Sequence, residues 1–359
     1  MVSRAAAPAL DARLVVRRGA FTLDLALAIA PGETVALLGP NGAGKTTAVS
    51  CLAGLLPLAE GHIRLGSRPL DDPARRVFVP PEKRRTGVVF QDYLLFPHMT
   101  ASENVAFGLR GAGYPRREAR RLAVEWLGRF GLEGLADSPA GRLSGGQAQQ
   151  VALARTLAAA PDLLLLDEPL AALDVTTRAR LRRALAAHLA EHPGPRLLIT
   201  HRPTGAFLLA DRIVVLEEGR ATQEGTPDEI RRHPRTAYAA DLAGVNLLAG
   251  TAAGGVVTVE GGLTLRPGAP VADGAVLVTV HPRSVNLFPA GPPAPGTGTT
   301  WEAEVDAVEA LGERTRIVLR PPLPLVAETA AAAAAALRLR PGSRVRVAVD
   351  PAEITAQPA

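Results

Sequence analysis

Residues 34–55 restrict the fold more than any other stretch. Thr34-Val-Ala-Leu-Leu38 is a short apolar run of strand type, and Gly39 to Gly44 is rich in glycine. Lys45 then begins a segment compatible with a helix to Leu55, ended by Pro57. The spacing Gly39-x-x-x-x-Gly44-Lys45-Thr46 fits the phosphate-binding loop, a pattern that carries weight only between a strand and a helix, where it stands here. Its glycines let backbone N–H groups face phosphate oxygens, Lys45 can reach the β and γ oxygens, and the Thr46 hydroxyl can hold Mg²⁺. The expected nucleotide cradle is therefore Gly39, Pro40, Asn41, Gly42, Ala43, Gly44, Lys45, Thr46 and Thr47. Composition sharpens the point. Only two of the 40 basic residues are lysine, Lys45 and Lys83, and one of them sits where a compact ammonium fits between phosphates better than a guanidinium fork.

Three more runs of buried-strand type follow, Leu163–Leu166, Leu197–Thr200 and Ile213–Leu216, with a helix-compatible segment, Thr176–Leu189, between the first two. That alternation predicts βαβ units and a parallel sheet. The first run ends in Asp167-Glu168-Pro169. Beside a phosphate-binding loop, Asp167 is the expected Mg²⁺ ligand and Glu168 the expected general base that activates water. His201 directly ends the second run, at the sheet edge where ligands collect in open α/β folds. Gln91 follows Thr86–Phe90 and opens a loop with Tyr93, Leu94, Leu95 and Phe96; its side chain could touch both Mg²⁺ and the attacking water, while the apolar residues could dock a partner helix.

A second glycine-rich helix start, Leu143-Ser144-Gly145-Gly146-Gln147, has two readings. Ser144 with Gln147 three residues on is a capping box. Two glycines just inside a helix, however, cost about 1 kcal/mol each in propensity, a sacrifice that close approach to a phosphate requires and a cap does not. With a full cradle already present at residues 39–47, this start makes sense if Ser144, Gly145, Gly146 and Gln147 bind phosphates held by another molecule.

Elsewhere, alternation over Phe21, Leu23, Leu25, Leu27 and Ile29 predicts a half-buried strand preceded by a turn at Arg17-Arg-Gly19, and residues 92–160 read as mostly helical. Phe21 is either a core residue of its strand or the aromatic that stacks on a nucleobase. Arg116, Arg117, Arg120 and Arg121 lie on a segment where Leu122, Trp126 and Phe130 recur, the solvated face of an amphipathic helix. With a net charge of +5 scattered along the chain and 4% aromatics, nucleic acid is not an expected partner. No apolar run approaches the length of a membrane span, no hydrophobic signal segment opens the chain, and a lone cysteine, Cys51, suits a reducing compartment. Past residue 240 the runs Val256–Val259, Val276–Val280, Trp301–Val308, Thr315–Leu319 and Arg344–Val349 predict a small barrel or sandwich, with a proline-rich loop at 291–298. The alanines from Ala330 to Ala336 read as a short helix or as compositional drift, and His98 and His281 receive no role.

Over residues 12–240 the ordered motifs resemble the nucleotide-binding subunits of ABC transporters: Walker A at 39–47, Q-loop at Gln91, signature at 143–147, Walker B at 163–168, D-loop at Leu170–Asp174 and switch histidine at His201. The resemblance implies an α/β P-loop NTPase, an ABC ATPase whose RecA-like core carries antiparallel β and helical subdomains (the latter at about 92–160), spanning residues 1–240. It implies that Ser144 and Gly146 contact the γ-phosphate of ATP held by the other subunit, that Asp174 organises the dimer interface and that His201 senses the γ-phosphate. Gln150 and Arg202 depart from the family, which often has arginine and usually aspartate there, so altered interface contacts are expected. The tail, 241–359, resembles a small all-β OB-type (TOBE/MOP-like) domain, with His281-Pro-Arg-Ser-Val-Asn-Leu287 as its inner strand. Val79-Pro-Pro-Glu-Lys-Arg-Arg85, Asp211–Gly219 and Val245-Asn-Leu-Leu-Ala-Gly250 are similar to importer subunits, the last to those for molybdate. The expected protein is thus an ATP- and Mg²⁺-dependent homodimer at the cytoplasmic face of the membrane. It would work with permease subunits and, indirectly, a substrate-binding protein; ferric ion, sulfate, sugar and polyamine are the alternative cargoes. An ABC ATPase acting on nucleic acid or ribosomes, a phosphotransferase, and a tail that binds a regulatory oxyanion are the competing readings.

Overall fold

Thr34–Leu38 is buried at every residue because it runs through the middle of a six-stranded sheet. The order across that sheet is Arg220–Gly225, Arg212–Glu217, Thr34–Leu38, Arg196–Ile199, Leu163–Asp167 and Thr86–Val89, parallel except for the first strand. Coverage on both faces explains why its strands read as unbroken apolar runs rather than alternating ones. Parallel direction also places the carboxyl ends of the central strands on one edge. There Leu37 stands beside Ile199 and Ile199 beside Asp167, so the loop after Leu38, the pair Asp167-Glu168 and the pair Thr200-His201 emerge side by side.

In this computed structural model residues 9–90, 92–171, 175–291 and 299–359 are described, the side chains of 175 and 176 excepted, and the chain divides into Met1–Pro227 and Asp228–Ala359. In the first unit an antiparallel five-stranded sheet, Phe21–Ile29, Leu10–Arg18, Glu60–Leu65, Arg68–Asp72 and Val77–Phe78, shares one core with the helix Lys45–Ala53. The alternation predicted over Phe21–Ile29 is what buries Leu23, Leu25, Leu27 and Ile29 in that core. Arg84 secures the far end of the helix. Fully buried, its guanidinium donates to the Cys51 and Leu52 carbonyls at 2.7 and 3.1 Å and through Nε to Val79 O at 2.6 Å, placing a cation at the helix C-terminus.

The helical subdomain is built from Ala101–Gly111, Arg116–Arg129 and Gly145–Ala158. The four arginines of the second helix are exposed as expected. Its fully buried stripe, though, is Ala119, Ala123 and Leu127, with Leu122 and Trp126 half-buried at the flank. Small alanines let the helix approach its neighbours closely, and the larger residues cover the edge.

Asp228–Ala359 is all antiparallel apart from short helices, with two five-stranded sheets around a core of Val257, Val278, Val305, Ile317 and Val347. Ala331–Ala336 is a helix, and the strand Asn246–Ala253 was not legible because polar Asn246 is buried while Ala249 and Ala253 are exposed, which leaves no apolar-in, polar-out alternation. The inner strand expected at 281–287 is corrected. His281 instead caps a short 3₁₀ turn, Pro282–Ser284, by accepting from Arg283 N, and the strand Val285–Pro289 stands at the end of its sheet. The loop expected at 291–298 lies outside the described residues beyond Gly291.

Candidate active site

The loop between Leu38 and Lys45 needs its outer glycines for steric reasons. A Cβ on Gly39 would lie 2.1 Å from the Leu216 carbonyl oxygen. Gly44 has φ +108°, and a Cβ there would lie 2.9 Å from the Phe21 ring. Gly44 is also the N-cap of the helix and offers no side-chain acceptor, so the first-turn N–H groups are left for an anion. Lys45 Nζ folds onto the Gly39 and Pro40 carbonyls at 2.7 and 2.8 Å. Burial lowers its pKa, opposed by the carboxylates of Glu168 and Asp167.

Lys45, Thr46, Asp167, Glu168 and His201 line one cleft of about 700 Å³, with Arg18 and Phe21 along its side. Asp167 is pushed up to about 6, mainly by burial and then by the neighbouring Glu168, with Lys45 opposing. Glu168 is held at φ +49°, a left-handed conformation unusual for a non-glycine residue, which aims its buried carboxylate along the sheet edge. Its Oε1 accepts from the His201 backbone N–H at 2.6 Å and lies 2.6 Å from His201 Nδ1, while Oε2 accepts from the Thr200 hydroxyl at 3.3 Å. The switch histidine and the expected base are thus in direct contact, with the imidazole itself mostly exposed.

Ser144 closes the predicted capping box in both directions: Gln147 N–H donates to its Oγ at 3.3 Å, and Ser144 N–H donates to Gln147 Oε1 at 2.9 Å. Ser144 and Gly145 are exposed, and no residue of 143–147 lines the cleft of its own chain. Gln91 and Asp174 lie outside the described residues.

Sequence reasoning missed the roles of three further residues. Gln149, buried on the helix that Ser144 starts, donates to the Glu168 backbone carbonyl at 2.9 Å and so ties that helix to the base. Gln150, expected to alter an interface, is buried and donates to Phe130 O at 3.2 Å, so its place is inside the helical subdomain. Arg155, on the same helix, donates to Leu94 O at 2.9 Å and Tyr93 O at 3.1 Å, and its guanidinium lies 5.6 Å from the Phe96 ring centroid. Those bonds hold Tyr93 and Leu94 at φ +60° and +43°, and they leave Leu94 exposed. The only signal for Arg155 was a cation in an otherwise apolar helical run. Arg202, the other departure, is exposed and caps nothing with its side chain; its N–H donates to Thr200 Oγ1 at 3.1 Å.

With this geometry in view, the comparisons with known proteins are specific. Residues 23–171 match the ABC transporter family model and residues 278–356 the TOBE domain model. The molybdenum import ATP-binding protein ModC of Mycobacterium tuberculosis (strain ATCC 25618 / H37Rv) is 40% identical over 94% of both chains. The sulfate/thiosulfate import ATP-binding protein CysA 2 of Chromobacterium violaceum is 41% identical over 95% of this chain and 93% of its own. Among solved structures, the ATP-binding cassette MJ0796, a dimer in a post-hydrolysis state bound to ADP and Pi, superposes with a TM-score of 0.53 at 29% identity, over 61% of this chain and 98% of that one.

Proposed function

This chain belongs to the ABC transporter family as an import ATP-binding subunit with a TOBE domain, an ATPase coupled to transport, and on that premise we propose that it works as a homodimer importing an oxyanion, molybdate first. The observation that carries the ATPase site is the single cleft into which a phosphate-binding loop, two adjacent carboxylates and a histidine converge. In this reading residues 39–47 wrap the phosphates and Lys45 neutralises the β and γ oxygens. Thr46 and Asp167 offer a hydroxyl and a carboxylate on the same cleft, hard oxygen donors that suit Mg²⁺, with Gln91 as a further ligand. An Mg²⁺ held by these groups would supply positive charge to offset the charge that develops on transfer. Glu168 takes the proton of the attacking water while the bond from the γ-phosphorus to the bridging oxygen breaks, giving ADP and phosphate. His201, already on Glu168 Oε1, orients the base and meets the γ-phosphate.

Ser144, Gly145, Gly146 and Gln147 of one copy complete the site of the other, with Asp174 at the interface, and hydrolysis lets the pair separate. Among the described residues no helix is long and apolar enough to cross a membrane, so permease subunits come from other chains. The strained, exposed turn at Tyr93-Leu94 faces them at the cytoplasmic surface. Similarity to molybdenum and sulfate/thiosulfate importers over 94% and 95% of the chain supports a tetrahedral oxyanion as cargo, and comparable identity to ferric ion and polyamine import subunits keeps those cargoes, with sugar, as alternatives. The test is ATPase stimulation of the complete complex by binding protein loaded in turn with molybdate, sulfate, ferric ion and sugar. Stimulation by molybdate above all others is expected; stimulation by ferric ion or sugar alone would end the oxyanion reading.

A further inference from the structure

A second hollow touches the pair Glu168 and His201, and nothing in the hydrolysis described above uses it. Its volume is about 450 Å³, inside the roughly 300–1,000 Å³ range of small-molecule sites, and it shares those two residues with the ATP cleft as a common wall. The helix Val175–Glu191 lines one side, and the segment from Thr200 into the helix Pro203–Leu209 lines the other.

The charge of this hollow is one-sided. Arg178 and Arg182 line it from the first side, four residues and so about one helical turn apart, and Arg202 lines it from the second. Like charges at that helical spacing repel, and a third guanidinium on the same space adds to the repulsion. The one carboxylate in the lining is Glu168, whose oxygens already accept from the His201 backbone N–H and the Thr200 hydroxyl. Arg178 donates through Nε to the Leu170 carbonyl at 3.3 Å. Among the described residues no ion pair or side-chain hydrogen bond engages Arg182 or Arg202. Between the cations stand Leu170, Leu198 and Leu209. A bare inorganic oxyanion would meet the guanidiniums and leave these leucines uncovered, whereas a compact organic anion covers both.

We propose that this hollow binds a small dicarboxylate with a compact hydrocarbon body, and that its occupancy slows ATP hydrolysis. One carboxylate meets Arg202 and the other the Arg178–Arg182 pair. The ligand thereby ties the loop that carries His201 to the helix Val175–Glu191 and holds His201 on Glu168. The anion and the nucleotide occupy separate spaces, so the effect falls on kcat and leaves KM for ATP unchanged. The slowing rests on the reading of the neighbouring cleft as the ATP site; the binding does not, and titration without nucleotide separates the two.

The experiment is calorimetric titration of the nucleotide-free, full-length chain with isophthalate, a rigid dianion of this kind. Isophthalamide supplies the same body without charge, and sulfate supplies charge without the body. Isophthalate should bind at one site per chain, at least about tenfold more tightly than sulfate, and isophthalamide should not bind. Combining Arg182→Gln with Arg202→Gln should weaken isophthalate at least about tenfold and keep MgATP turnover without the anion close to wild type. In steady state isophthalate should lower wild-type kcat and leave that of the double variant unchanged. No binding at millimolar isophthalate, equal affinity in the double variant, or sulfate binding as tightly as isophthalate would overturn the site. A rise in KM for ATP would place the anion on residues 39–47 and overturn it as well, and binding that leaves kcat unchanged would overturn the action on hydrolysis. A chain that binds isophthalate but not MgADP would overturn the ATP reading and leave this site standing. Both substitutions remove like charges from half-buried or exposed positions, so the double variant should unfold at or above the wild-type temperature, which a thermal melt checks.

Discussion

The helix Lys45–Ala53 begins at a glycine with no side chain to cap it, whereas the helix Gly145–Ala158 begins at a serine that closes a complete capping box. At the first start, neighbouring backbone and the Phe21 ring occupy the space that side chains on Gly39 and Gly44 would need. At the second, Ser144 and Gly145 are exposed. The first start is the anion site proposed within its own chain: no side chain caps its N–H groups, Lys45 stands at it, and the carboxylates of Asp167 and Glu168 line the same cleft. The second carries a side-chain cap of its own on the Gln147 N–H. On the proposed reading its glycines serve the phosphates that another copy brings to them rather than the stability of one chain. Capping and phosphate binding also coexist, since the box engages Gln147 N–H and leaves the earlier N–H groups of the turn free.

The largest effect expected from this contrast comes from the residue that needs both starts. Glu168→Gln keeps the shape and removes the base, so steady-state ATPase should fall about 10²–10⁴-fold while nucleotide binding persists. With ATP the variant should elute as a stable dimer on size exclusion, because the second start then stays closed on its partner's phosphates. Turnover near wild type would remove Glu168 from its role.

A smaller pair of effects should have opposite signs on stability. Gly44→Ala places a Cβ at φ +108° against the Phe21 ring, a strain of about 1–3 kcal/mol, and should lower the melting temperature and abolish calorimetric MgADP binding. Gly145→Ala sits in an ordinary helical turn and should raise stability by up to about 1 kcal/mol. Its MgADP affinity should be unchanged in the isolated chain, yet ATPase should fall about tenfold or more, because the new methyl occupies space meant for the other copy's phosphate. If Gly145→Ala is both more stable and fully active, the two starts do not divide the work as argued.

The parts of this site legible in the sequence were those where chemistry dictates spacing. Gly44, Lys45, Asp167, Glu168 and His201 follow from phosphate geometry and from strand ends on a parallel sheet, and they line one cleft. The left-handed Glu168, the Gln149 bond to its carbonyl and the buried Arg84 behind the loop helix were not legible, since each depends on which distant backbone group lies opposite. Gln150 shows the same limit from the other side. A departure from a family pattern marked the position, but only packing showed that its amide serves Phe130 O inside the subdomain. In the second unit, regular strands with buried valines were legible, and Asn246–Ala253 was not.

The smallest effect separates the two starts by pH. Asp167 titrates at about 6 rather than the ordinary 3.8 because burial and then Glu168 disfavour its charge. The folded chain thus holds this proton more tightly than the unfolded chain does. Asp167 accordingly lowers the stability of the nucleotide-free protein as pH rises from about 4 to about 6, and by a constant amount above that. Mg²⁺ needs the carboxylate, so its contribution to ATP affinity should weaken by up to about tenfold per pH unit below about 6. Asp167→Asn should bind ATP with little added effect of Mg²⁺ and without that slope. Ser144 and Gln147, the capping groups of the second start, carry no titratable group. Titrating MgATP against the Asp167→Asn chain therefore exposes the pH dependence that remains without this carboxyl, and a slope below pH 6 as steep as wild type would mean that Asp167 is not the group that meets the metal.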